Sequence, residues 1–150
     1  MYHRRSAMFF EELKLNMKVD IPPAVIEKEK LLDFALNYDN IPLHTDEEYA
    51  KSTHFGGLIA PGVMSFMSVW IKYLEVDFIG DGLLAGKSTK IEWLKPVYPG
   101  DVLTGKAEIT NLTRRSEKNG IAEISIKAYN QNGELVLTNV TEGIVKCKPI

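Results

Sequence analysis

The second half of this chain alternates, and alternation leaves few folds open. Leu103, Gly105, Ala107 and Ile109 sit at every second position among polar neighbours, and so do Ala122, Ile124, Ile126 and Ala128. Side chains of a strand point to opposite faces in turn, so each run predicts a strand with one apolar face and one wet one. Four strands follow, at Lys87–Leu94, Val102–Leu112, Ile121–Asn130 and Leu135–Cys147. Pro99-Gly100, Asn119-Gly120 and Asn132-Gly133 are the expected turns. Strands joined by short turns form an antiparallel sheet.

Such a sheet needs something apolar to cover its dry face. The segment Pro61 to Glu75 meets that need, with Val63, Phe66, Met67, Trp70, Ile71 and Leu74 at helical spacing. It is the most apolar helix of the chain and is expected to be buried. A long helix placed before an antiparallel sheet predicts an α+β domain with the sheet wrapped around the helix. Ile121, Tyr129, Val136, Val140 and Ile144 fall off the one-face alternation, which leaves apolar groups for a second surface.

Upstream, residues 1–8 are expected to be a loose start. A short strand or turn is expected near Leu13–Val19, and Pro22-Pro23 confines any strand here to an edge or ends it. Leu31, Phe34, Ala35 and Tyr38 predict a helix over Glu27 to Tyr38, with Glu27 a poor cap.

Between the two helices lies the stretch Asp39 to Ser65. Pro42 disfavours the α region at Ile41, so Asp39 to His44 is expected to be an extended loop. Thr45 and Glu48 match a capping box, T-D-E-E, opening a short helix over Thr45–Ser52. On that reading His44 could also act as a hydrophobic staple on Tyr49. Gly56-Gly57 reads as a hinge and Pro61-Gly62 as the first turn of the long helix. A carboxylate, an imidazole and free helix amides are the parts needed to add water to an activated double bond. Asp39 would accept a proton, His44 would hold the water, and the Gly62 amide would meet the carbonyl oxygen as charge builds on it.

Composition narrows the alternatives. The 150 residues suffice for one domain with its own core, and a 45% hydrophobic, 25% charged composition is that of an ordinary globular protein. A net charge of −2, with no basic block beyond His3-Arg4-Arg5 and Arg114-Arg115, argues against nucleic-acid binding. Cys147 is the single cysteine and can form no internal disulfide, which fits a reducing cytoplasm. No apolar core of signal-peptide length follows the first residues, and the uncharged run Phe55 to Ile71 is shorter than the ~20 residues of a membrane span. His44, Asp46, Glu47, Glu48 and His54 are close together but lack metal-ligand spacing, so no metal is expected.

The motifs D-x-x-P-x-H-T-D at Asp39–Asp46 and F-G-G-L-I-A-x-G at Phe55–Gly62 resemble the MaoC-like dehydratases, or R-specific enoyl-CoA hydratases, of the hot-dog fold. Trp93-Leu94-Lys95-Pro96-Val97 and Pro99-Gly100-Asp101 agree, and the resemblance spans roughly Phe10 to Cys147. It implies that Asp39 and His44 activate water on an acyl-coenzyme A thioester held at Gly62. Ile41, Pro42 and Ser65 would be substrate contacts. It also implies no further cofactor and a homodimer, or an assembly of dimers. Lys87, Lys90, Lys95, Arg114 and Arg115 are basic residues that could meet coenzyme A phosphates, and none is assigned. Ile41 stands where the family usually has asparagine, and Tyr38 where it has glycine. Two rival readings remain, a hot-dog thioesterase and a non-catalytic acyl-coenzyme A-binding subunit. If the Gly62 amide binds the thioester oxygen, Gly62→Val is expected to abolish turnover and leave most of the fold intact.

Overall fold

The computed structural model describes residues 8–150. The expected loose start lies outside these residues except at Met8, which is anchored: its amide donates to the Ile79 carbonyl at 2.9 Å. In chain order the elements are β1 (Lys18–Val25), α1 (Lys28–Tyr38), α2 (Pro42–Thr45), α3 (Glu47–Ser52), α4 (Gly62–Glu75), β2 (Leu83–Trp93), β3 (Val102–Arg114), β4 (Asn119–Tyr129) and β5 (Leu135–Lys146). The strands form one antiparallel sheet in the order β1-β3-β4-β5-β2, and α4 packs across β1 and β3. The architecture is the expected α+β arrangement.

Alternation placed the sheet interior well. Ile124 and Ile126 of β4 pair with Thr141 and Asn139 of β5, and all four are buried on the face turned toward α4. β1 runs straight through Pro22-Pro23. It is an edge strand bonded only to β3, and its register slips between Ile21 and Ala24, so the prolines forgo no ladder partner on the open side.

Three expectations need correction. Asn119-Gly120 is not a turn: both residues already belong to β4, with Asn119 opposite Lys146. The chain reverses one step earlier, through residues 115–118. Gly120 is small for another reason, since a Cβ there would lie 2.4 Å from the Phe10 ring. The second correction concerns α4. Its buried residues are Met64, Ser65, Phe66, Val69 and Tyr73, whereas Val63, Met67 and Ile71 are about half exposed. The helix is apolar on most of its circumference, so spacing alone could not choose which stripe faces the sheet. Val136, expected off the buried face, is itself buried.

The two chain ends of the described structure are clamped by Glu11. Its carboxylate accepts the Lys148 amide at 3.0 Å and pairs with Arg114 at 2.9 Å. The backbone bond from Lys148 is the largest of the interactions that hold this carboxyl from the ordinary 4.5 down to about 2. A carboxyl depressed by folding stabilises the native state fully above its unfolded value, and that contribution is lost as pH falls through the folded one. Wild type should therefore melt higher than Glu11→Gln above about pH 4.5, with the gap closing toward pH 2. A gap that stays constant down to pH 2 in thermal unfolding would exclude this role for the charge.

Candidate active site

The site begins where α1 stops. Asp39 is its C-terminal cap, with its amide still bonded to Ala35 O at 2.9 Å. A tight turn, Ile41 N to Asp39 O at 2.9 Å, then reverses the chain. Ile41 is extended, as its proline neighbour requires, but the loop does not stay extended. Pro42 opens the helical turn α2, because a proline at the first helical position has its φ already set and wastes no amide. The Ile41 carbonyl accepts from the His44 amide at 3.0 Å and from Thr45 Oγ1 at 3.1 Å. Thr45 is thus spent on α2. Asp46 caps α3 instead, accepting the Tyr49 amide at 3.1 Å. With the cap moved by one residue, His44 no longer occupies the staple position.

That turn delivers His44 inward. Only 8% of its side chain is exposed, against 43% for Asp39. His44 Nδ1 lies 2.7 Å from the carbonyl oxygen of Ile59, and Nε2 lies 3.3 Å from Asp39 Oδ2. A carbonyl only accepts, so Nδ1 carries the hydrogen and Nε2 is the nitrogen turned to the carboxylate. At 3.3 Å the two atoms leave no room for a water on the line between them, so a water that reaches both must sit to one side, in the cavity. The geometry suits a group that binds water and exchanges its protons.

The opposite wall is the start of α4. The strap before it is pinned by the Ala60 amide donating to Val97 O at 2.7 Å. The first intrahelical bond runs from Ser65 N to Pro61 O at 3.0 Å. The amides of Gly62, Val63 and Met64 therefore have no acceptor within the helix, and they carry the positive end of its dipole. A cavity of about 490 Å³ touches Asp39, His44, Gly62, Val63 and Ser65, and is otherwise walled by Phe55, Ile59, Ala60 and residues 93–97.

Asp39, His44, Gly62 and Ser65 thus share one cavity. The Ser65 hydroxyl turns back to Pro61 O at 3.4 Å. Ile41 and Pro42 are exposed and do not line the cavity. Of the basic residues considered for phosphates, Lys95 alone stands at the cavity, ion-paired with Glu134. Lys87, Lys90 and Arg114 pair elsewhere with Glu142, Glu92 and Glu11. Gly56 has φ +73° in the turn before the strap, where glycine is the residue at ease. Among the described residues no group of three or more His, Cys, Asp or Glu could hold a metal ion, and no helix is long and apolar enough to cross a membrane.

One residue that sequence reasoning noted only as part of a motif belongs to this site. Trp93 ends β2 and lies on Gly62: a Cβ at Gly62 would come within 2.3 Å of its indole Cε2. The available signal was the period of two that places Thr89, Ile91 and Trp93 on one face of β2.

An antiparallel sheet wrapped on a helix, with an acid and an imidazole facing the helix start, defines a hot-dog protein of the dehydratase and hydratase class. The family model described as "MaoC like domain" matches residues 11–130, and the chain belongs to that family. It is 32% identical over 140 residues to an (R)-specific enoyl-CoA hydratase of Aeromonas caviae, covering 93% of this chain and 98% of that one. Among solved structures it superposes with TM-score 0.91 on a monoamine oxidase regulatory protein from Archaeoglobus fulgidus, at 29% identity and covering 99% and 100% of the two chains. A MaoC-like dehydratase from Rhodospirillum rubrum gives TM-score 0.84 at 26% identity, covering 96% and 100%.

The indole corrects the expectation that Gly62→Val is structurally mild. Any Cβ at Gly62 must displace the Trp93 ring. Gly62→Ala is expected to cost about 1–3 kcal/mol by overpacking. Adding Trp93→Ala should return most of that loss. Equal chemical-denaturation midpoints for Gly62→Ala and wild type would show that the ring yields freely.

Proposed function

We propose that this protein hydrates trans-2-enoyl-coenzyme A thioesters to (3R)-hydroxyacyl thioesters, and runs the dehydration in reverse. The observation that carries the proposal is the Asp39–His44 pair, 3.3 Å apart, sharing a cavity with the unbonded first amides of α4. The thioester oxygen accepts the Gly62 amide. Water touching both Asp39 and His44 Nε2 from the cavity side gives one proton to Asp39 as its oxygen bonds to Cβ. The electron pair of the double bond moves toward Cα and the thioester oxygen. A proton carried by the Asp39–His44 pair then closes the bond at Cα, so that one water has been added in all. One oxyanion donor supplies about 3 kcal/mol, and placed acid–base groups about 10²–10⁴-fold in rate. No further cofactor is required by this scheme.

The similarity to an (R)-specific enoyl-CoA hydratase over nearly the whole chain supports the reading. So does the apolar lining beside the pair, which suits an acyl chain. We infer also that the working form is a homodimer. Val63, Met67 and Ile71 leave a stripe of α4 about half exposed, and β2 is a long sheet edge bonded on one side only.

The reaction is tested with a panel of enoyl- and saturated acyl-coenzyme A thioesters. Loss of the conjugated-alkene absorbance without free thiol is the expected result. Release of thiol would instead mean a thioesterase, and inertness a binding subunit. Asp39→Asn and His44→Ala should each lower hydration about 10²–10⁴-fold. The double variant should be little worse than either, because the pair works on one water. Retention of more than about a tenth of the rate by Asp39→Asn would remove the positioned base. His44→Ala also strips the Ile59 carbonyl of its donor and should cost about 1–3 kcal/mol in stability.

Light scattering at micromolar concentration should give twice the chain mass of 16.9 kDa. A monomer alone at that concentration would refute the dimer.

A further inference from the structure

Trp93 is unusual in where it stops. Its strand partner across the sheet, Leu137, is completely buried, yet Trp93 itself is 50% exposed. A large aromatic left half in water at the end of a strand has given up much of the burial it could gain. Its ring is nevertheless not free. The indole lies on Gly62, with a Cβ there meeting Cε2 at 2.3 Å, Nε1 at 2.6 Å and Cδ2 at 2.8 Å. One side of the ring therefore faces the first residue of α4, and the residue also lines the cavity that holds Asp39 and His44.

The other walls differ in kind. His44, Ala60, Ser65 and Val97 are buried and form the floor, whereas Leu94 and Lys95 beside Trp93 are about half exposed and form the rim. Trp93 is therefore the broad, flat surface between the rim and the helix amides. A thioester whose oxygen reaches Gly62 must pass against it.

We propose that Trp93 is a positioning residue for the thioester: its indole packs on the thioester as it enters and holds the carbonyl oxygen at the Gly62 amide. The inference rests on the proposed hydratase reading for what the amide binds. A flat ring suits the task, because a thioester is itself planar and weakly hydrated, and covering the exposed half of the indole adds apolar burial on binding. The placement also accounts for glycine at position 62, since any side chain would take the space of the ring.

The test uses Trp93 as its own reporter. The other tryptophan, Trp70, stacks between Phe66 and Tyr73 at 5.8 and 5.0 Å, and Trp70→Phe keeps a ring there. In Trp70→Phe protein, excited on the red edge of tryptophan absorption, saturating butyryl-coenzyme A should move the Trp93 emission to the blue as the ring is covered. Saturation is set independently by calorimetry. With crotonyl-coenzyme A as substrate, Trp93→Ala should lower kcat about 100-fold, the loss expected when a reacting group is misplaced by about 1 Å. Trp93→Phe should recover all but a few-fold of it, and both variants should unfold cooperatively.

Emission unchanged at calorimetric saturation, or wild-type kcat in Trp93→Ala, would overturn the proposal while leaving the hydratase reading in place. A blue shift in a protein that hydrates nothing would keep Trp93 as a thioester contact and remove the reaction. Absence of any calorimetric binding of butyryl- or crotonyl-coenzyme A would overturn both.

Discussion

The hydrogen bond from the Ala60 amide to the Val97 carbonyl, 2.7 Å long, ties the lead-in of α4 to the segment that follows β2. Much of the site depends on it. The strap it holds carries Ile59, whose carbonyl takes the Nδ1 hydrogen of His44, and ends at Gly62, on which Trp93 lies. The segment on its other side is tied back to the sheet, where the amides of Leu94 and Lys95 both donate to Val136 O. One backbone pairing thus sets the distance between the helix start and the end of β2, which is the width of the cavity. Backbone bonds between covered segments are suited to this, because breaking one strands two polar groups.

The electrostatics follow from that scaffold. The Ile59 carbonyl dictates which nitrogen of His44 holds hydrogen, and so which one turns to Asp39. The buried imidazole and the half-open carboxylate beside it both border the cavity. The amides at the head of α4 supply fixed positive character on the far wall without a charged side chain. Lys95, the cation at the rim, is already matched by Glu134.

Local pattern carried the sheet because a strand's period of two is a property of the strand itself. It carried the Asp39–His44 pair for a similar reason: the two are five residues apart, with a proline whose stereochemistry limits how the turn can fold. The same pattern misjudged α2 and the cap of α3, where Thr45 could serve either helix and the Ile41 carbonyl took it. It misjudged Asn119-Gly120, whose composition suits a hairpin turn but which lies within β4, where Gly120 leaves space for the Phe10 ring. Phe10 lies far from Gly120 in the chain, and so is not visible in the residues around that motif.

Sequence by itself determined the α+β class, the antiparallel strands and the two long helices, since each rests on interactions within a few residues or on strand period. Tertiary structure decided which stripe of α4 is buried, that Ile41 and Pro42 stay outside the cavity, and that Trp93 lies on Gly62. α4 is apolar almost all round, so its own residues could not choose a face, and the sheet chose by packing against Phe66, Val69 and Tyr73. Trp93 and Gly62 are far apart in the chain and meet because β2 and the strap before α4 end at the same place.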